Sequence, residues 1–373
     1  MMVTPPFAVA ALLLVSPCSV AVADAKFDAK NASYLPQCPD DCFDLFKTLD
    51  VNGVQETKFQ IRGEPKSGTG TSEEWAWGAL ATTCAYLNTL YGDESCRTTA
   101  YGTKLSGRYE YHDMIFEPHL ALLSGLRPCP CSNVERVNIS MTIHSKHMLP
   151  VDERNCSFWH PHDIVTDPNV VCNRRDGQRL DNQYDLWECV QQADCKIRDD
   201  GRIQLAVMRD PREVTTSAYF HQLRKLNRGH QSPTTKLGSV DDYFQKYLDV
   251  TCMWISLRYF LFSEALADRS ELFWYDDHEA DPVDWHGRFL ALVGLNIPLR
   301  EVVEMAMVAS SGGSINTVLD FKAKGMDHHP GGNDRTRRNF RDDLGPDSLA
   351  MMDGVMRKWV PPVILKRFEI PLE

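Results

Sequence analysis

The residues of this chain that could do chemistry are concentrated first in a short loop between Pro65 and Thr71. The loop contains one lysine, two glycines and three hydroxyl side chains, in the order Lys66, Ser67, Gly68, Thr69, Gly70 and Thr71. Glycines allow neighbouring backbone N–H groups to turn toward one point, hydroxyl groups add donors, and a lysine adds a mobile positive charge. This combination is suited to bind an anion such as a phosphate group.

The segments on either side of the loop are predicted to be a strand and a helix. Phe59 and Ile61 alternate with polar residues, which is typical of a strand with one buried face. After the loop, apolar residues recur at helical spacing as far as Gly92, and Ser72, or Thr71 before it, is the expected N-cap. This order forms an anion site, because the helix dipole favours negative charge at the start of the helix.

The position of the lysine separates this loop from the phosphate loop of nucleotide triphosphatases. Their pattern has a lysine directly after its last glycine, followed by a serine or threonine that binds magnesium. Here Lys66 precedes Gly68 and lies inside the loop. The sequence therefore disfavours a magnesium triphosphate as the ligand, whereas it does not disfavour a phosphate.

A second stretch with the composition of a phosphate site comes later in the chain. The apolar segment 202–208 is predicted to be a strand, and Arg209 follows it directly. A helix is predicted over 213–226, with Asp210 as its N-cap and a proline at its first position. Arg209 at the end of the strand and Ser217 about two turns into the helix can therefore converge on one phosphate.

Together the two stretches resemble the sulfotransferases that use 3′-phosphoadenylyl sulfate as their donor. The sequence 65–69, Pro-Lys-Ser-Gly-Thr, is similar to the loop that binds the 5′-phosphosulfate in that family. Arg209, with Ser217 eight residues later, is similar to its 3′-phosphate site. The resemblance implies that Lys66 holds the 5′-phosphate and stabilises the leaving oxygen, that residues 67–71 cradle the same group, and that no metal is required.

More of the chain follows the same resemblance, which covers most of residues 57–368. The segments 273–277 and 280–295 resemble the late strand and helix of these enzymes, and 335–340 resembles the basic stretch that closes over the donor, with Arg335 and Arg337 as expected contacts. The chain departs from the family where Gly70 interrupts the usual Gly-Thr-Thr or Gly-Thr-Ser. Trp75 is also displaced from the position that stacks on adenine, so core packing is its alternative role.

The resemblance also suggests a general base, the group that removes the proton of the acceptor hydroxyl. In cytosolic members of the family this group is a histidine just before a Leu-Pro pair at the end of a strand. The sequence 146–150, Lys-His-Met-Leu-Pro, is similar with one extra residue. His147 is therefore the expected base and His144 the alternative. Other branches of the family use a glutamate, for which Glu117 or Asp113 is the counterpart here.

The order of the elements predicts an α/β fold. Strands alternate with helices along the chain, which implies a central parallel sheet flanked by helices on both faces. The resemblance further implies the P-loop-containing nucleoside triphosphate hydrolase-like sulfotransferase fold for residues 57–373. Residues 93–112 look like a polar loop, and 151–200 look like a cysteine-rich, disulfide-tied insertion with little periodicity. A long helix is expected over 242–267.

The N-terminal residues indicate the secretory pathway. Residues 1–23 carry no charge and end in Ala-Val-Ala, which is typical of a signal peptide, with a retained membrane anchor as the alternative. Residues 24–56 form a cysteine-bearing lead-in. Several of the close cysteine pairs are expected to form disulfides, with Cys252 as the odd thiol; the pairs are Cys38/Cys42, Cys84/Cys96, Cys129/Cys131, Cys156/Cys172 and Cys189/Cys195. Asn31, Asn138 and Asn155 begin glycosylation sequons, and a Golgi or secreted location follows.

Charge and composition narrow the partners. The formal net charge of −11 argues against a nucleic-acid partner. The cysteine spacings lack a second matched pair, so no zinc site is expected. The acceptor is expected to be a hydroxyl, on a carbohydrate first and on a protein tyrosine or small alcohol otherwise. The alternatives are a P-loop kinase and a secreted, disulfide-rich binding module with a vestigial phosphate loop.

Overall fold

The architecture is that of an α/β protein, seen in a computed structural model that describes residues 42–92, 94–101, 111–119, 131, 133–142, 181–192, 201–227, 237–298 and 339–372. Six strands are described: β1 Val54–Gly63, β2 Cys96–Tyr101, β3 Tyr111–Phe116, β4 Arg136–Thr142, β5 Ile203–Met208 and β6 Ser270–Trp274. The α-helices are α1 Thr69–Tyr91, α2 Gln183–Gln192, α3 Pro211–Asn227, α4 Val240–Phe260, α5 Tyr275–Ala280, α6 Pro282–Leu292, α7 Phe340–Asp343, α8 Pro346–Trp359 and α9 Pro362–Arg367.

The six strands form one mixed sheet in the order β2-β3-β4-β1-β5-β6. Strands β4, β1, β5 and β6 are parallel to one another, whereas β3 runs antiparallel to both of its neighbours, β2 and β4. The predicted α/β class is confirmed, but the prediction of a parallel sheet is wrong at this edge. The loop expected over 93–112 is wrong at 96–101 and 111–112, which belong to β2 and β3, while 102–110 lie outside the described residues. β2 is a polar edge strand without an apolar run, and its pairing with β3 is a tertiary effect.

Helices cover the sheet on both faces, as predicted. Phe59 and Ile61 lie in one core cluster with apolar residues of α1 and α6. On the opposite face, residues of β5 and β6 pack with α4 and α8 in a second cluster. The lead-in contributes to the first cluster through Leu45, the last residue of a short 3-10 helix at Cys42–Leu45, and through Phe46 after it.

Helix α1 begins earlier than predicted. Its N-cap is Gly68, in the left-handed conformation with φ 95°, and no side chain caps it, so the assignment of Thr71 or Ser72 as N-cap is wrong. The reason is steric. A β carbon on Gly68 would lie 2.1 Å from Cδ2 of Tyr275, so only glycine fits this close approach. The predicted end is confirmed, since the N–H of Gly92 donates to the carbonyl of Asn88 over 2.9 Å.

The bounds of two later helices depend on both local capping residues and tertiary packing. Helix α3 begins at Pro211, and the N–H of Arg212 donates to the Asp210 carboxylate over 2.9 Å, which confirms the predicted N-cap. The long helix expected over 242–267 instead begins at Val240, beneath a capping box of Ser239, and ends at Phe260. A π-helical turn, Leu261–Ala265, follows directly.

The predicted insertion contains a helix that the sequence analysis missed. Within 151–200 the described part is α2, which packs on α4, with the rings of Trp187 and Phe260 5.3 Å apart. Asp185 in the first turn accepts a hydrogen bond from the N–H of Asp181. Most of the insertion lies outside the described ranges, and its predicted disulfides are not tested.

Two of the cysteine predictions can be examined. Cys84 of α1 and Cys96 of β2 form a disulfide, as their pairing suggested, and Cys131 is also disulfide-bonded. Cys252 is a buried free thiol, which confirms its assignment as the odd cysteine. None of the described helices has the length and apolar character needed to cross a membrane. The N-terminal signal or anchor lies outside the described residues.

Candidate functional site

The two predicted phosphate stretches lie at the same edge of the sheet. Strands β1 and β5 are parallel neighbours, and Gly63 at the end of β1 is paired with Val207 near the end of β5. The loop of Lys66 leaves β1 at this edge, and Arg209 follows β5 at the same edge. Ligands of α/β proteins bind where such carboxyl ends meet, so the register brings the two stretches together.

The loop after β1 is stabilised from within. The N–H and the hydroxyl of Ser67 both donate to the carbonyl of Glu64, over 2.9 and 2.7 Å. The Glu64 carboxylate in turn forms an ion pair with Nε of Arg258 on α4 at 2.9 Å, and both side chains are buried. Ser67 was predicted to offer its hydroxyl to the ligand. In the structure this buried hydroxyl is used to close the loop.

The backbone turns between Lys66 and Gly68, directly before the start of α1. Both residues adopt left-handed φ angles, 77° for Lys66 and 95° for Gly68, on either side of Ser67. The N–H groups of Thr69, Gly70 and Thr71 belong to the first turn of α1, where no intrahelical acceptor exists. Their N–H groups have no acceptor among the described residues either. This end of a 23-residue helix therefore offers donors and a dipole that favour a negative group.

Arg209 joins the second stretch to the first. Its Nε donates to Oε2 of Glu213 over 2.8 Å, and its Nη1 donates to the backbone carbonyl of Lys66 over 3.4 Å. The guanidinium also lies over the ring of Tyr275, 4.8 Å from the centroid. The remaining N–H donors of this partly exposed side chain have no acceptor among the described residues, so they can serve a ligand at the loop.

Ser217 continues the line from Arg209 along α3. It lies one helical turn beyond Glu213 and therefore on the same face of the helix. Unlike the threonines before it, whose hydroxyls donate to carbonyls one turn back, Ser217 is partly exposed and its hydroxyl has no partner within the described part of the chain. Arg209, Glu213 and Ser217 form one row.

An aromatic layer lies beneath the loop. Tyr275 contacts Gly68 and lies 5.2 Å, centroid to centroid, from the buried Trp75. Trp75 stacks on His278 with the ring centroids 3.4 Å apart. Trp75 thus packs in the core, the alternative that the sequence left open beside a role in adenine stacking.

His278 continues this layer to a second histidine. Its Nε2 lies 3.2 Å from Nε2 of His286, so one ring donates and the other accepts. Burial lowers the pKa of His278 from 6.5 to about 4. Burial, together with the neighbouring His278, lowers the pKa of His286 to about 3. Both rings are therefore neutral near pH 7.

Arg212 has a different role from the one expected. On a helix start an arginine is usually exposed, but Arg212 is buried and paired with Asp210 at 2.6 Å. Its guanidinium lies 4.9 Å from the ring centroid of Phe340. Phe340, the last residue of the basic stretch 335–340, therefore lies beside the start of α3. Arg335 and Arg337 themselves lie outside the described residues.

Of the candidate bases, only the acidic ones can be placed. Asp113 is buried on β3, where its partner in β4 is Ser140. Ser140 is in turn the partner of Lys58 in β1, and Lys58 precedes Gly63 by about 16 Å of strand. Glu117 follows β3 at the opposite edge of the sheet and forms an ion pair with Arg97 at 2.8 Å. The register therefore brings neither carboxylate to the phosphate loop. His147 and His144 lie outside the described residues.

The sequence analysis missed the residues that support the site. Glu213 follows Arg209 by four residues at the start of a helix. Because opposite charges at this spacing pair on helices, the ion pair could have been predicted from the sequence. Glu64 and Arg258 are separated by 194 residues, and no local pattern connects them. Tyr275 entered the sequence analysis only within the segment 273–277, although it contacts both the loop and Arg209.

Comparison with known proteins adds no relative. No family model matches the sequence, and no curated protein matches it significantly. Among the described residues, no group of three or more His, Cys, Asp or Glu side chains is placed to bind a metal ion.

Proposed function

We propose that this chain is a sulfotransferase with a P-loop-like fold, which transfers a sulfuryl group from 3′-phosphoadenylyl sulfate to an acceptor hydroxyl. The observation that carries the proposal is the 3.4 Å contact between Nη1 of Arg209 and the carbonyl of Lys66. The resemblance to the sulfotransferases assigns these two stretches to opposite ends of one doubly phosphorylated nucleotide. Such a nucleotide can bridge them only if they lie side by side.

The loop would bind the end of the donor that reacts. Lys66 and the N–H groups of Thr69, Gly70 and Thr71 would hold the 5′-phosphate. As the bond between sulfur and the bridging oxygen breaks, charge develops on that oxygen, and fixed donors stabilise it without reorganisation. The acceptor oxygen forms the new bond to sulfur in line with the leaving group, and its proton passes to the base.

Arg209 and Ser217 would bind the other end of the donor. The donors of Arg209 that are not used by Glu213 and Lys66 can form charge-assisted hydrogen bonds to a 3′-phosphate, and the Ser217 hydroxyl adds another. Arg335 and Arg337 are proposed as further contacts because Phe340, close behind them in sequence, lies against Arg212.

The remaining parts of the proposal concern the base, the acceptor and the compartment. His147 is the proposed base, with His144 as the alternative, and a carbohydrate hydroxyl is the proposed acceptor. The Cys84–Cys96 disulfide supports an oxidising compartment such as the Golgi lumen or the cell exterior.

Nucleotide binding separates the proposal from its alternatives. A sulfotransferase binds adenosine 3′,5′-bisphosphate without metal, a P-loop kinase prefers a magnesium triphosphate, and a binding module with a vestigial loop binds neither. Incubation with sulfur-labelled donor and a panel of carbohydrate, tyrosine and small-alcohol acceptors then identifies the transfer. Failure of the purified chain to bind the bisphosphate would refute the proposal.

A further inference from the structure

The ring of Tyr275 is the place where three elements of the candidate site meet. Tyr275 follows β6 directly, and β6 is the neighbour of β5, which Arg209 follows. A β carbon on Gly68 would lie 2.1 Å from Cδ2 and 2.6 Å from Cε2 of this ring, so the ring lies directly against the phosphate loop. The same ring lies under the guanidinium of Arg209 and beside Trp75 of α1.

The direct link between Arg209 and the loop is weak by comparison. The hydrogen bond from Nη1 to the Lys66 carbonyl is 3.4 Å long, well beyond the usual range for N–H···O bonds. Glu213 orients the guanidinium from α3, since Nε of Arg209 donates to its carboxylate over 2.8 Å. The aromatic ring contacts both partners, and a cation over a ring face is attracted to it.

We propose that Tyr275 is a positioning residue that holds Arg209 and the phosphate loop at the spacing one nucleotide needs to bridge both; this inference rests on the function proposed above. The ring acts through its neighbours and need not touch the nucleotide. The spacing matters because a ligand that binds two sites at once gains affinity only when both can be engaged together. A shift of either site lowers the affinity for a nucleotide with two phosphates more than that for a nucleotide with one.

The test compares two nucleotides across matched variants. Dissociation constants for adenosine 3′,5′-bisphosphate and adenosine 5′-phosphate are measured by calorimetry for the wild-type chain, Tyr275→Phe and Tyr275→Leu. We expect Tyr275→Leu to weaken bisphosphate binding about tenfold or more and 5′-phosphate binding by less than about threefold. Tyr275→Phe keeps the ring, so both constants should stay within about threefold of the wild type.

A core variant controls for simple destabilisation. Phe289→Leu removes a fully buried ring from the same face of the sheet but away from the loop. It should lower the melting temperature without changing the ratio of the two dissociation constants. If Tyr275→Leu weakens both nucleotides equally, or changes only the melting temperature, the positioning role is refuted while the proposed function stands. If the wild type binds neither nucleotide, the proposed function itself fails.

Discussion

Nη1 of Arg209 lies 3.4 Å from the backbone oxygen of Lys66, although 143 residues separate them in the chain. The contact exists because β1 and β5 are parallel neighbours whose ends open at the same edge. The hydrogen-bond donors of the loop and those of Arg209 therefore lie at the same edge of the sheet.

Replacement of Lys66 by alanine should abolish sulfuryl transfer while leaving the fold intact. The loop is closed by Ser67 and Glu64, and the Glu64–Arg258 pair anchors it, none of which involves the Lys66 side chain. Loss of a charge that stabilises the leaving oxygen costs about 100-fold or more in kcat. Transfer of labelled sulfate measures the loss. The control is Lys58→Ala, which removes an exposed lysine from the preceding strand and should retain activity. Full activity of Lys66→Ala would contradict the assignment.

Replacement of Arg209 should weaken binding of adenosine 3′,5′-bisphosphate specifically. Hydrogen bonds to charged groups contribute about 1.5–3 kcal/mol, so Arg209→Ala should raise the dissociation constant about 10- to 100-fold. Arg209→Lys keeps the charge but loses the planar fork and should have an intermediate effect. Calorimetry measures these constants. Arg224→Ala is the matched control, because it removes an exposed arginine from α3, the helix that follows Arg209. An equal effect of Arg224→Ala would indicate only a change in overall charge.

Disruption of the Glu64–Arg258 ion pair should destabilise the protein strongly. Both side chains are almost fully buried, so Arg258→Met leaves the Glu64 carboxylate buried without this cation. Such a change typically costs about 3–5 kcal/mol of unfolding free energy. Denaturant titration measures it. The double variant Glu64→Leu/Arg258→Met removes both charges and should recover much of the loss; a loss of less than about 1 kcal/mol in the single variant would contradict the expectation.

The histidine pair beneath Trp75 should make stability depend on pH. Burial lowers the pKa values of His278 and His286 to about 4 and about 3, below the unfolded value of 6.5. The unfolded chain therefore binds more protons than the folded chain in this window. Stability is complete above pH 6.5 and declines as the pH falls toward 4, by up to about 1.4 kcal/mol per pH unit for each histidine.

Denaturant titrations between pH 7.5 and 4.5 measure this slope. His286→Leu removes one titrating ring and the charge that would face the other, so its slope over this range should be smaller than that of the wild type. His119→Leu replaces an exposed histidine and should leave the slope unchanged. An unchanged slope in His286→Leu would show that the pair does not carry the effect.

The sequence alone determined the local features whose causes lie within a few residues. These are the α/β class, the capped start of α3 at Asp210 and Pro211, the end of α1 at Gly92 and the loop rich in donors around Lys66, because alternation, capping and glycine act through near neighbours. The tertiary structure alone decided the antiparallel edge of β2 and β3, the start of α1 at Gly68, the Glu64–Arg258 pair and the place of Tyr275 between Arg209 and the loop. Those depend on strand order and on contacts between distant segments, which burial and strand pairing select and no local pattern encodes.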